Sequence, residues 1–260
     1  MALALRPIGT HLRNWRQRRR LSQLDLAGDA QISTRHLSFL ENGRAQPSRD
    51  MILRLAERLE IPIRERNVLL VAAGYAPIFP ERPISDPALA PASNAITLTL
   101  EAHKPYPAFA LDRQWRIVAS NGALPEMFAG LAEELLVPPI NAMRLSLHPR
   151  GLAPRIANLA EWRAHLLHRL QHQIDLTADA ALIELRHELL SYPAPAAPVE
   201  PRTDQPLVPL QIQVGGRLLS FFSTTMIFGT AADITLSELA LEFFFPAEAR
   251  TAALVREFDR

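Results

Sequence analysis

The chain has 260 residues, 48% of them hydrophobic, with a formal net charge of +1. Cysteine is absent, which excludes disulfides, zinc–thiolate sites and cysteine nucleophiles and suits a reducing compartment. The opening MALALRP is too short for a signal peptide, and no apolar run approaches the ~18 residues of a membrane span. The expectation is a soluble, cytoplasmic protein of one or two domains without a membrane partner.

The near-neutral charge hides an asymmetry. Residues 1–66 carry 13 Arg against 7 Asp or Glu, a balance of +6, and residues 67–260 carry a balance of −5. A basic head on an acidic body suggests that the head alone meets a polyanion.

In chain order, Ile8 to Arg19 reads as a helix with Leu12 and Trp15 on one side. Ser22 caps a second, SQLDLA, with Leu24 and Ala27 expected to face inward. A third runs from about Ser33 to Glu41, with Leu37 and Leu40 inward, and ends at Asn42-Gly43. Ser48 caps a fourth, whose stripe is Ile52, Leu55, Ala56 and Leu59, and Pro62 starts a fifth that stops at Gly74. Pro77, Pro80, Pro83, Pro87 and Pro91 then exclude a continuous helix and mark a boundary or stiff linker.

The remainder mixes both periodicities. ITLTLEAH is compatible with a helix. PAFALDRQWRIVASNGALPEMF reads as strand, turn at Asp112-Arg113, strand and helix. Ile156 to Ile174 and Asp179 to Leu190 read as amphipathic helices. Residues 193–209 read as an exposed proline-rich loop. A hairpin is expected around Gly215-Gly216, then a strand or short helix in LSELALEFFFPA, then a terminal helix from Ala247.

The spacing in the head is more specific than its helix content. Gln23 opens the second helix, and the Thr34 helix starts eleven residues later after a short turn. This is a helix-turn-helix layout, in which the second helix enters the major groove. The pattern SQLDLA…IS…LSFLENGRAQPS resembles the phage-repressor-like (XRE, or Cro/C1) helix-turn-helix family from about Ile8 to Ala73. The resemblance implies that Gln23 and Asn42 meet the phosphate backbone with Arg44 beside them. It also implies that Ser33, Thr34, Arg35 and Phe39 occupy the outward face of the recognition helix.

Side-chain chemistry adds to these roles. Arg35 can fork onto guanine O6 and N7, and the Phe39 ring suits a thymine methyl or packing against the loop at 44–47. Thr34 can offer its hydroxyl to a base or phosphate, and His36 can reach a phosphate. Arg16 belongs to the densest cationic run, Arg13 to Arg20, which flanks the groove in this reading. At Gln31 many family members carry the glycine of the turn, where φ is often positive.

The body shows no H-E-x-x-H, G-x-S-x-G, phosphate-binding loop or dinucleotide fingerprint. His165, His168 and His172 share a helix face with Glu161, a pattern that the wet face of an amphipathic helix also produces. No catalytic residue, metal or cofactor is expected. RERNVLLVAAGYAP, PAFALDRQWRIVASN and NAMRLSLHPRGLAPRIANLAEWRAHLL together resemble bacterial regulators with an MmyB-like ligand-binding domain. The resemblance implies a PAS-like antiparallel sheet with helices on one side, enclosing an apolar cavity that senses a fatty acid or another small apolar metabolite. Trp115, Asn121, Trp162 and Phe222 are the candidate lining residues.

The combined expectation is an α+β chain. A helix-turn-helix head spans 1–76, a proline-rich linker 77–91 and a sensor 92–260. As a homodimer it binds double-stranded operator DNA, because one recognition helix reads too few base pairs alone. The alternative keeps the DNA-binding head and makes the body a protein-interaction or dimerisation module without a small-molecule ligand.

Overall fold

The computed structural model describes residues 6–193, 207–229 and 231–258. Part of the expected loop at 193–209 lies outside them. The chain divides into two compact units: Met1–Arg82 with Thr230–Ser237, and Pro83–Gly229 with Glu238–Arg260.

The first unit packs α1 (Ile8–Arg18), α2 (Gln23–Asp29), α3 (Thr34–Glu41), α4 (Arg49–Arg58) and α5 (Ile63–Ala72) around one apolar core. Leu12, Leu26, Leu37, Leu40, Ile52, Leu55 and Leu69 are fully enclosed there. Serines start three of these helices. Ser22, Ser33 and Ser48 accept hydrogen bonds from the amides of Asp25, His36 and Met51, satisfying donors that a helix start leaves unpaired. Gly9 lets α1 approach α3 closely, since a Cβ there would lie 2.4 Å from the Leu40 carbonyl oxygen. One inward assignment fails: Leu24 is 70% exposed. With Leu26 and Ala27 already filling the inner side of α2, position 24 is turned to solvent.

The short helix α11 (Ile234–Ser237) belongs to this unit although it lies far along the chain. Ile234 is buried and its amide donates to the Pro80 carbonyl at 2.9 Å. The Thr235 hydroxyl donates to the Arg82 carbonyl at 2.6 Å, and Arg82 pairs with Asp233 at 3.0 Å.

The second unit is built on an antiparallel sheet in the order β2-β1-β5-β4-β3. Its strands are β1 (Ala108–Leu111), β2 (Ile117–Ser120), β3 (Leu210–Val214), β4 (Arg217–Ile227) and β5 (Ala240–Pro246). The hairpin at Gly215-Gly216 places both glycines at positive φ. Asp112 shapes the β1–β2 turn, its Oδ1 accepting from the amides of Gln114 and Arg116, while Trp115 takes φ +63°.

Alternation along the strands separates two faces. Ala108, Ala110, Leu241 and Phe243 pack with Ile96 and Leu100 of α6 (Ala90–Glu101). Phe221 and Phe244 pack on the opposite side with Trp162, Leu166 and Leu170 of α9 (Leu159–Thr177). Helix α9 begins at Leu159, later than the periodicity suggests, because Ile156 bridges to Ile212 of β3. The remaining helices are α7 (Glu133–Leu136), α8 (Ala142–Leu147), α10 (Ala180–Ser191) and α12 (Ala249–Phe258). The α+β class read from the sequence is the class observed.

Candidate functional site

In the first unit α2, the turn and α3 form the helix-turn-helix. The chain leaves α2 at Ala30, and Gln31 takes φ +55°, so the backbone reverses where the Gln31 amide donates to Gly28 O. An L-residue with a Cβ holds this left-handed conformation at a cost of roughly 1–2 kcal/mol. Gln31→Gly is expected to stabilise the unit by about 0.5–1 kcal/mol after the entropy of the more flexible unfolded chain is counted. Circular-dichroism melting checks this, and a lower melting temperature would show that the glutamine side chain contributes contacts of its own.

Glu41 ties the motif together. Only 4% of the residue is exposed. Its Oε1 accepts from Arg16 Nε at 2.6 Å, and its Oε2 accepts from Arg16 Nη2 at 2.9 Å and from Gln23 Nε2 at 2.8 Å. Arg13 Nε adds positive charge at 3.5 Å. One carboxylate thus links α1, the start of α2 and the end of α3. Burial pushes its pKa up, yet the bonds from Arg16 and Gln23 and the charge of Arg16 and Arg13 outweigh that effect and hold it below the ordinary value.

This arrangement engages two of the residues expected at the DNA backbone. Arg16 has only 12% of its side chain exposed and also donates to the Leu21 carbonyl, so it is a structural tie in this state and not an open phosphate contact. The Gln23 amide nitrogen is likewise engaged by Glu41. Asn42 sits exposed at the end of α3, where its Oδ1 accepts from Arg13 Nη2 and its Nδ2 donates to Ser38 Oγ.

The outward side of α3 carries Arg35, which is exposed, with Thr34, His36 and Phe39 half-exposed. The Arg35 guanidinium lies 5.3 Å from the centre of the Phe39 ring. Arg35 and Phe39 are separated by one helical turn, which places a cation above an aromatic face. The carbonyl of Phe39 accepts from the amides of Arg44 and Ala45, closing the exit from the helix. Ser33 is the N-cap, its Oγ accepting from the His36 amide. Arg44 is exposed just after Gly43, which takes φ +70°.

The second unit contains an apolar cavity between the sheet and α9. Phe109, Trp115, Ile117, Met127, Met143, Leu145, Trp162, Leu166 and Phe244 line it, with Ser146, Arg169 and Glu242 as polar members. Its volume is about 60 Å³. Trp162 Nε1 donates to Ser146 Oγ at 2.9 Å, and Trp115 Nε1 donates to Gln173 Oε1 at 2.7 Å. Both indole N–H groups are therefore satisfied while their rings face apolar space.

Glu242 stands in the central strand and is 3% exposed. Arg169 of α9 answers it with two bonds, Nη1 to Oε1 at 2.7 Å and Nη2 to Oε2 at 3.0 Å. Thr225 Oγ1 adds a bond to Oε2 at 2.8 Å, and the guanidinium lies 5.0 Å from the centre of the Trp115 ring.

Trp115 and Trp162 reach the cavity; Asn121 and Phe222 do not. Asn121 is buried as a backbone clamp. Its Oδ1 accepts from the amides of Ala108 and Ala123, and its Nδ2 donates to the carbonyls of Leu100 and Tyr106. With both ends of the amide engaged, it has no free edge for a ligand. Phe222 points to the other side of the sheet from Phe221 and stacks on Phe245 at 5.4 Å. Strand alternation decides this, and the sequence leaves open which of two adjacent phenylalanines turns inward.

Arg169, Glu242, Ser146 and Gln173 were not singled out from the sequence. Glu242 carries a signal in hindsight, being the lone charge within ALEFFFP, and Arg169 lies two helical turns after Trp162 on the same face. Of the histidine row, His165 is half-buried beside Trp162, and burial followed by the nearby Arg169 charge lowers its pKa. His168 and His172 are exposed. Among the described residues no group of three His, Cys, Asp or Glu is placed to hold a metal ion. Nor, among them, is any helix long and apolar enough to cross a membrane.

Comparison with known proteins places both units. Residues 7–69 match a helix-turn-helix domain, and residues 92–257 match the MmyB-like transcription regulator ligand binding domain. No curated protein matches the chain. Among solved structures, the PAS domain from Bordetella pertussis BvgS is similar at 16% identity and a TM-score of 0.29, covering 65% of this chain and 96% of that one. With a helix-turn-helix ahead of a domain that accounts for most of its length, the chain belongs to the MmyB-like family and is a DNA-binding transcription regulator.

Proposed function

We propose that the protein reads an operator as a homodimer and that a small apolar molecule in the cavity changes how tightly it binds. In this reading residues 1–76 are the head, 77–91 the linker and 92–260 the sensor, with Thr230–Ser237 grouped with the head. Arg35 reads base edges, with Phe39 holding its guanidinium, and Thr34 and His36 flank it. Arg44, Asn42, Gln23 and Ser33 meet the phosphates and sugars around the groove. Target DNA places this work in the cytoplasm, and the role is regulatory, not enzymatic.

The observation that supports ligand sensing is the cavity itself, apolar, flanked by two indoles and crossed by one ion pair. Sites for small molecules are mostly apolar with few polar anchors. At about 60 Å³ the space holds a few waters or a short hydrocarbon segment. A longer apolar ligand enters by displacing the lining. Met127 and Met143 are the residues best suited to yield, because unbranched thioether chains repack at low cost.

The test couples two measurements on the full-length protein, after its preferred operator has been selected from random duplexes. A panel of apolar molecules is screened for a rise in melting temperature, and each hit is added to a gel-shift titration. The expected result is a hit that changes operator affinity about 5- to 150-fold, the usual span of allosteric coupling. The same experiment weighs the alternative reading, which the exposed Leu98, Met226 and Ile227 favour. If no hit appears and no small molecule co-purifies in native mass spectra, the second unit is a protein-interaction module.

A further inference from the structure

The cavity has charge inside it, yet the two charges cancel. Arg169 spends both terminal nitrogens on Glu242, which is 3% exposed and takes a third bond from Thr225. Trp115 covers the guanidinium from one side. A ligand that brings its own carboxylate meets Arg169 already engaged. A carboxylate that takes an Arg169 N–H the pair leaves open sits beside a second, buried anion, and one that displaces Glu242 leaves that carboxylate buried without its cation. Breaking a buried pair by removing one partner is strongly unfavourable. A hydroxyl or another neutral polar group makes no such demand, since it can donate to Glu242 or accept from Arg169 with the pair intact.

We infer that Glu242 is a specificity-determining residue that tunes the cavity to uncharged apolar ligands, of the aliphatic-alcohol type, over ionised carboxylates of equal chain length. The inference rests on the cavity being the ligand site. It also accounts for a carboxylate in the otherwise apolar central strand ALEFFFP: without it, Arg169 would offer an open anion site against Trp115.

The experiment is isothermal titration calorimetry of the full-length protein at pH 7 with 1-octanol and with octanoate, a chain-matched pair of which only the second is ionised. The wild type is expected to bind 1-octanol at least tenfold more tightly. Glu242→Gln keeps the shape and frees the Arg169 charge, so octanoate affinity is expected to rise at least tenfold while 1-octanol affinity changes less than threefold. Equal or tighter binding of octanoate by the wild type overturns the inference. So does a Glu242→Gln variant that loses affinity for both compounds alike, which is the signature of a purely structural role. Should that variant not fold, the wild-type ratio alone decides. Binding of neither compound, with no melting shift from the wider panel, overturns the cavity reading and the inference with it; binding of other apolar molecules but not 1-octanol overturns the inference alone.

Discussion

Glu41→Ala is expected to destabilise the amino-terminal unit by about 3–5 kcal/mol. The substitution removes one buried carboxylate, but the damage lies in what remains. Arg16 keeps a charge with little access to water, and Gln23 loses the acceptor for its amide. Against a total stability of ~5–15 kcal/mol for a domain, a loss of this size leaves the unit marginal. The readout is circular-dichroism melting, and a loss below about 1 kcal/mol would show that water replaces the carboxylate without difficulty. Acid titration gives an independent check. Because the folded pKa of Glu41 is depressed, its contribution is fully present above the unfolded value near 4.5 and is lost as pH falls through the folded value. The wild type should therefore lose stability progressively below about pH 4.5, and Glu41→Gln should lack that part of the acid dependence.

Arg35→Ala is expected to weaken binding to the preferred operator by about 5- to 150-fold, from the ~1–3 kcal/mol that a bidentate arginine–guanine contact discriminates. Arg35 is exposed and its guanidinium lies against the Phe39 ring, so the fold should survive the change. Binding to unrelated duplex DNA rests on phosphate contacts and should weaken far less. Phe39→Ala separates two jobs for the ring. A loss of affinity that vanishes in the Arg35→Ala background means that the ring acts by holding the guanidinium. A loss that adds to it means direct contact with a base. Unchanged sequence preference on removing Arg35 would exclude it from base reading altogether.

The head was legible because its signals are local. Serine caps, a glycine exit and apolar residues at helical spacing are all read within a few positions, and the structure places Leu12, Leu37, Leu40 and Ile52 where that pattern puts them. Leu24 shows the limit of such reading, since with Leu26 and Ala27 beside it a leucine on a seven-residue helix can face either way. The cavity was less legible because its polar members come from distant segments. Arg169 and Glu242 are separated by 73 positions, and nothing near either announces the other. Asn121 misled for the opposite reason: a polar residue between apolar strands suits a ligand anchor and a backbone clamp equally until the strand ends are placed. Gln31 was informative in both views, marking a departure from glycine in sequence and a left-handed backbone in the structure.

The position of α11 bears on how this protein can be taken apart. Thr230–Ser237 is reached only after β4 and is left only by entering β5, yet it belongs with Met1–Arg82. Cutting the chain in the proline-rich stretch therefore does not yield two self-contained pieces. The amino-terminal fragment lacks the residue that donates to Pro80, and the carboxy-terminal fragment carries Ile234 away from the partners that bury it. A single crossover in the proline-rich stretch would part the 230–237 segment from the unit it belongs to. Any graft of the second unit has to bring with it a β4–β5 connection that matches the first.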